Sequence, residues 1–246
     1  MSSKACLALW LDGPLQSWGS ASRFTRRTTE LFPTKSGIVG LLAAAMGVDK
    51  FQPDESRTIA RLAGLQCTVI TMPRQRRSQP LPILRLEDFH TIGGGYDPDE
   101  DWQSMPRSAD NKTLKNPVIS YRYYLLDARF GVLLEGDAAL LEQAAAALRN
   151  PRWGVWLGRK CCLPATPVLV AVTADQDAAW RALLKRASLP PETPVEQFDC
   201  VSDIRAGEDG GEVLNDLPVS FGAPIGLRHA PRRIRRQHRK SFPNQK

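Results

Sequence analysis

The sequence predicts an α+β protein, and two observations carry the prediction. First, the patterns between residues 6 and 173 follow the order strand, helix, strand, strand, helix, strand, which is that of a ferredoxin-like domain. Second, residues 93–117 are rich in Gly, Pro and Asp and offer little to a core, while extended segments flank them at about 79–92 and 118–126. We therefore expect a ferredoxin-like domain with a protruding β-hairpin thumb and a small C-terminal unit.

The domain boundaries follow from composition. We expect residues 1–175 to form the ferredoxin-like domain, with the mobile thumb at about 93–117. Prolines cluster at about 190–194 and separate off a C-terminal unit, 176–246. This unit ends in a basic tail, 228–246, which holds eight cations and no acid and accounts for more than the whole net charge of +7. Such tails contact polyanions or remain solvated.

The first strand and helix are the best-defined elements. Residues 6–11 are continuously apolar, as in a buried strand. Thr34 or Ser36 can cap the helix that follows, and Gly47 can end it. The free amides of the first turn carry partial positive charge, and with Lys35 beside them they could hold an anion such as a phosphate.

The remaining elements alternate along the chain. Asp137 is a candidate N-cap for the strongest of the later helices. We expect helices at 54–64, 138–149 and 178–187, and strands at 66–72, 123–134 (with a bulge at Gly131), 167–173, 197–205 and 211–221.

Composition excludes several classes of protein. No segment reaches the roughly 18–20 apolar residues of a membrane span, and the N-terminus lacks the pattern of a signal peptide. Five cysteines, an odd number, favour the reducing cytoplasm. The cysteines and three histidines lack metal-ligand spacing, so we expect neither a metal nor another cofactor. No Walker loop occurs.

Nucleic-acid binding needs cations for phosphates and flat rings for bases. The candidate stacking residues are Trp18 and Tyr121, and Gly158 would let backbone amides approach a phosphate. Trp18 could equally fill a core, and the glycines could serve only turns. The candidate phosphate clamps are Lys35, Arg85, Arg122, Arg159 and Lys160, with Arg107, Lys112 and Lys115 in the thumb.

Four motifs resemble one known family. The sequence GPLQSWG at 13–19 with FPTKSG at 32–37, LEDFHT at 86–91, YRYYLLDA at 121–128, and PRW at 151–153 with LGRKC at 157–161 occur in the order found in the CasD family. CasD is a subunit of the type I-E CRISPR Cascade complex and belongs to the repeat-associated RNA-binding superfamily. The resemblance covers residues 4–172.

The resemblance implies a non-catalytic subunit that binds and caps the 5′ handle of crRNA in antiviral defence. It implies contacts with the backbone and large subunits of Cascade, and indirectly with target DNA. Carried over by position, the RNA-binding candidates are Gln16, Trp18, Lys35, Ser36, His90, Arg122, Arg159 and Lys160, with Tyr121 nearby.

Two alternatives remain open. His90, Tyr121 and Lys160 could in principle supply the base, acid and cation of a metal-independent endoribonuclease that processes repeat RNA. The chain could instead be an assembly adaptor that contacts an acidic partner through its tail and makes no RNA contact.

Overall fold

A computed structural model describes residues 3–20, 25–77, 79–92, 117–222 and 226–239. The expected thumb falls on residues outside these ranges, apart from residue 117. The elements are β1 (Lys4–Asp12), β2 (Leu15–Gln16), β3 (Arg26–Arg27), α1 (Lys35–Met46), α2 (Glu55–Ala63), β4 (Gln66–Thr71), β5 (Gln75–Arg76), β6 (Gln79–Pro80), β7 (Leu84–Ile92), β8 (Val118–Leu126), β9 (Arg129–Asp137), α3 (Ala138–Arg149), β10 (Leu169–Thr173), α4 (Gln176–Arg186), β11 (Cys200–Asp203), β12 (Glu212–Ser220) and β13 (Arg228–Gln237), with a 3₁₀ turn at Val195–Gln197.

The larger sheet has seven strands in the order β10-β1-β9-β4-β11-β13-β12. Every neighbouring pair is antiparallel. The strands of the expected C-terminal unit therefore extend the same sheet, because β11 pairs directly with β4. The expectation of a basic tail from residue 228 is wrong for residues 228–237. They form β13, where Arg232 and Ile234 are buried against the rest of the protein.

Strand β1 shows why both faces of this sheet are covered. Leu7, Leu9 and Leu11 alternate with Cys6, Ala8 and Trp10, and both sets are buried. The leucines pack in the cluster that includes α1, α2 and α3, whereas the alternate residues pack in the cluster that includes α4. Because side chains alternate across a strand, a continuous apolar run fits a strand covered on both faces.

The helix ends follow the expected capping chemistry. Thr34 is the N-cap of α1, and its Oγ1 accepts a hydrogen bond from the Gly37 amide at 3.3 Å. Gly47 ends that helix with φ of 72°, a conformation that glycine adopts without a steric penalty. Asp137 caps α3 by accepting a hydrogen bond from the Leu140 amide at 2.8 Å.

A smaller sheet joins β8 to β2 and β3 on one side and to β7 on the other. Strands β7 and β8 pair along their whole length, from Leu84 opposite Leu126 to Ile92 opposite Val118. Most of β7 is exposed, so this ribbon projects from the protein. We call β7 and β8 together the ribbon.

The single strand expected over 123–134 is in fact two. Asp127 has φ of 48°, and the chain passes there from β8 in the smaller sheet to β9 in the larger one. Gly131 pairs regularly within β9, so it is not a bulge. A Cβ at Gly131 would lie 2.8 Å from Leu183 Cδ1, so α4 packs closely on β9 at this position.

Within the described ranges, no helix combines the length and apolar character needed to cross a lipid bilayer.

Candidate nucleic-acid interface

A polar cleft of about 430 Å³ lies where the smaller sheet meets the N-terminus of α1. Four residues selected from the sequence line it: Trp18, Ser36, Arg122 and Arg159. The other lining residues are Ser17, Gly19, Arg27, Thr34, Gly37, Gly158, Phe221 and His229. We call this space the basic cleft.

Three arginines from three parts of the chain line the basic cleft. Strand β3 runs parallel to β8 and brings Arg27 opposite Arg122. Arg159 joins them from a later loop, and its Nη2 donates a hydrogen bond to the Arg27 carbonyl at 2.8 Å. Arg122 is oriented by a hydrogen bond from Nε to Ser120 Oγ at 3.1 Å. Guanidinium groups bind phosphate oxygens through paired N–H donors, so the arrangement suits a phosphate chain.

Gly158 lets the Arg159 loop approach the first motif closely. Its φ is +92°, and a Cβ at this position would lie 1.8 Å from the Ser17 carbonyl oxygen. The Ser17 amide also donates to the Leu157 carbonyl at 3.1 Å. No side chain fits there, so glycine is required for both conformation and space.

Gln16 and Trp18 support the basic cleft from inside the core and do not serve as contact groups. Gln16 is fully buried, and its Nε2 donates to the carbonyls of Leu11 and Ala128. Trp18 is 1% exposed and donates from Nε1 to Gln16 Oε1 at 3.0 Å. Its ring lies against Gly37, where a Cβ would be 2.6 Å away. The expected base-stacking role of Trp18 is wrong, because its ring has no open face.

Lys35 is also committed to the interior, which corrects its expected role as a phosphate clamp. Its Nζ forms a 2.6 Å ion pair with Asp203, and both side chains are less than a tenth exposed. Its backbone amide donates to Asp216 Oδ2 at 2.7 Å. The anion expected at this helix N-terminus is therefore the protein's own carboxylate.

Arg232 completes that buried ion network. It bonds Asp216 from Nε at 2.6 Å and Nη2 at 2.9 Å, and it also pairs with Asp203. Burial alone would lower the pKa of Arg232, but hydrogen bonding to Asp216 and the nearby carboxylates raise it above its ordinary value. Two cations and two carboxylates thus neutralise each other beneath the cleft and join β13 to α1.

Ser36 and His229 also line the basic cleft. Ser36 is half-buried, and its Oγ donates to Thr34 Oγ1 at 3.3 Å. His229 lies on β13, and burial lowers its pKa while Asp216 acts in the opposite direction. Residues Arg27, Phe221 and His229 were not selected from the sequence, because long-range strand pairing alone brings them here.

The ribbon separates the remaining candidates onto two faces. His90 lies opposite Ser120, on the same face as Arg122, and its Nδ1 is 3.6 Å from Asp88. Tyr121 lies opposite Phe89 on the other face of the ribbon. Arg85 is on that same face, because alternate residues of a strand share a face. The Tyr121 ring packs edge-on against the Phe89 ring, and the guanidinium carbon of Arg26 lies 5.2 Å from the Tyr121 ring centre. His90 and Tyr121 therefore point to opposite sides, which disfavours a shared catalytic role.

Lys160 is exposed beside the basic cleft, with Nζ 5.6 Å from the Trp156 ring centre. Arg159 stacks over Tyr124 at 5.1 Å. The thumb candidates Arg107, Lys112 and Lys115 lie outside the described residues. Among the residues that are described, no group of three His, Cys, Asp or Glu side chains is arranged to hold a metal ion.

Comparison with known proteins connects this architecture to CRISPR systems. The pattern of the CRISPR-associated protein family Cas5 matches residues 6–237. The Cascade subunit CasD of Escherichia coli K12 is 30% identical over 189 residues, which cover 74% of this chain and 76% of that protein.

Two solved structures are similar in fold. One, a chain of a CRISPR RNA-guided surveillance complex, has a TM-score of 0.67 and 30% identity over 94% of this chain and 88% of that one. A crystal structure of a Cas protein has a TM-score of 0.60 and 29% identity over 95% of each chain. The match over nearly the whole length establishes the family: the chain belongs to the CRISPR-associated Cas5 family.

Proposed function

We propose that this chain is a non-catalytic subunit of a Cascade-type CRISPR surveillance complex and binds the 5′ handle of crRNA in the basic cleft. The observation that carries the proposal is the convergence of Arg27, Arg122 and Arg159 on one cleft beside a glycine-dependent loop. The family and the complexes named for its relatives support the setting. On this view the chain assembles with the backbone and large subunits and meets target DNA only through them.

We also infer a ferredoxin-like core. The order β10-β1-β9-β4, with α1 after β1 and α3 after β9, supports this inference. It corresponds to two split βαβ units: β9 lies between β1 and β4 of the first unit, and β1 lies between β9 and β10 of the second. Related modules present such a sheet and its loops to single-stranded RNA.

The proposed RNA-binding role of the basic cleft is tested by replacing two of its arginines together. We expect R122A/R159A to weaken binding of handle RNA by at least about tenfold, because charge-assisted hydrogen bonds contribute about 1.5–3 kcal/mol each. The slope of log K against log salt should fall by about 1–2. A matched control is R57A/R61A, which removes two exposed arginines of α2, away from the basic cleft. Equal losses in the two variants would contradict the proposed site.

Handle preference is a separate question from affinity. We expect the wild-type chain to bind handle RNA more tightly than a scrambled RNA of equal length, in EDTA as well as in its absence. Filter binding at fixed salt measures both affinities. Equal affinities for the two RNAs would contradict the handle preference and would indicate nonspecific RNA binding.

The proposed absence of catalysis is tested with labelled repeat RNA in EDTA. His90 and Tyr121 on opposite faces of the ribbon support intact substrate as the expected outcome. A discrete cleavage product that disappears in His90→Ala would favour the endoribonuclease alternative.

A further inference from the structure

A second basic pocket lies on the α4 side of the larger sheet. It has a volume of about 350 Å³ and is formed where β4 ends, β9 begins and α4 ends. Its walls include Arg74, Gln75, Arg129 and Ser188, and its apolar floor includes Ala187 and Leu189. We call it the arginine pocket. It shares no lining residue with the basic cleft.

Arg74 and Arg129 lie close enough for the charge of one to act on the other, and the carboxylates of Asp12 and Asp127 lie beside Arg74. Arg74 pairs with Asp12 at 2.7 Å, while Asp127, whose side chain is 72% exposed, stands 4.0 Å away. Arg129 Nη2 donates to the Pro73 carbonyl at 2.9 Å. Burial lowers the pKa of Arg129, and the charge of Arg74 lowers it further.

Arg129 also has an unused donor. Its Nε is buried and has no hydrogen-bond partner among the described residues, although the guanidinium lies 5.7 Å from the Trp10 ring centre. A buried N–H without a partner costs about 1–3 kcal/mol. The Arg129 guanidinium therefore has hydrogen-bonding capacity that its neighbours in the protein leave unused.

The surroundings of the arginine pocket are basic. Arg76 and Arg77 are exposed in the turn after Arg74, and Lys185 and Arg186 are exposed at the end of α4. None of residues 73–77 lines the basic cleft. The only aromatic lining residue, Phe198, is 9% exposed and packs against Trp180, so it offers little surface for a nucleobase.

We propose that the arginine pocket docks an acidic segment of a partner protein, with a carboxylate on Arg74 and Arg129 and an apolar side chain on the Ala187–Leu189 floor. Charge complementarity and the apolar floor, without an open aromatic face, favour protein over nucleic acid. The proposal rests on the proposed function in one respect: the partner is another subunit of the same complex.

Co-assembly of the tagged full-length chain with the other subunits and crRNA provides the test. R74Q/R129Q removes the cations, and Gln75→Trp fills the arginine pocket without changing charge. R57Q/R61Q is the matched control for charge. We expect both pocket variants to recover partner subunits at one tenth of the wild-type yield or less, while the control stays near wild type. Handle-RNA affinity of each purified chain should remain within about twofold of wild type, because the basic cleft is untouched.

A photo-crosslinking residue at Gln75 keeps the test valid if R74Q/R129Q folds poorly. We expect crosslinks within the assembled complex to a protein segment that contains Asp or Glu. Normal co-assembly of Gln75→Trp, or crosslinks to RNA alone, would overturn the proposal. If the wild-type chain does not bind handle RNA, the proposed function is contradicted instead. The crosslink at Gln75 would still show which molecule contacts the arginine pocket.

Discussion

Asp216 on β12 accepts a hydrogen bond from the Lys35 amide at 2.7 Å, although 181 residues separate the two in sequence. The carboxylate therefore occupies the positive end of α1, at the residue next to the N-cap. The same carboxylate binds Arg232 through two nitrogens. The C-terminal hairpin and the helix beneath the basic cleft are thus joined by a buried ion network.

Asp216→Ala should be strongly destabilising. Asp216 is 1% exposed, and its removal leaves the Arg232 charge and the Lys35 amide short of a partner. Breaking a buried pair in this way costs about 3–5 kcal/mol. Chemical denaturation measures the free energy of unfolding, and Asp209→Ala, at an exposed position, is the control. A loss below about 1 kcal/mol would show that the network contributes little.

Gly158→Ala should damage the Arg159 loop more than a glycine replacement elsewhere. Both Gly158 and Gly207 have positive φ, but a Cβ at Gly207 meets nothing within 4 Å. Gly207→Ala therefore lowers the free energy of unfolding only through the strained positive-φ backbone, by about 1–3 kcal/mol. We expect Gly158→Ala to lower stability further and to weaken handle-RNA binding at least about tenfold, because displacing the loop moves charge-assisted contacts. Identical effects in both variants would argue against the close approach to Ser17.

Trp18→Phe should separate packing from RNA contact. The substitution leaves a cavity and removes the hydrogen bond to Gln16, so we expect a stability loss of about 1–3 kcal/mol. Handle-RNA affinity should stay within about twofold at a temperature where the variant remains folded, because the ring is buried. A large loss of affinity with unchanged stability would restore the stacking role.

Cys161 should be the one rapidly reactive thiol of the native chain. The other four cysteines are buried, and burial is the main factor that raises the pKa of each to about 12. Because the thiolate is the nucleophile, they should react slowly at pH 8. A thiol-reactive chromophore should therefore detect one fast group, absent in Cys161→Ser, and five after unfolding. Two fast groups in the native protein would contradict the burial of Cys162.

Local sequence was sufficient for elements whose signals lie within a few residues. Thr34 and Gly47 mark the two ends of α1, and Asp137 caps α3. These ends could be predicted because capping depends on hydrogen bonds inside one helical turn. The continuous apolar run of β1 likewise indicated a buried strand, and the structure buries it. The motifs sufficed to identify the family, because they keep their order and spacing along the chain.

Tertiary structure decided which polar residues face outward. Lys35 and Trp18 carry the chemistry of RNA contacts, but pairing with Asp203 and packing on Gly37 bury them. Conversely, Arg27 enters the basic cleft only because β3 pairs with β8. Residues 228–237 resemble a solvated basic tail in composition, yet β11 and β12 enclose them as β13 and Asp216 neutralises Arg232. Charge and residue type are properties of a position in the sequence, whereas exposure depends on tertiary partners, such as Asp203, which lies 168 residues from Lys35.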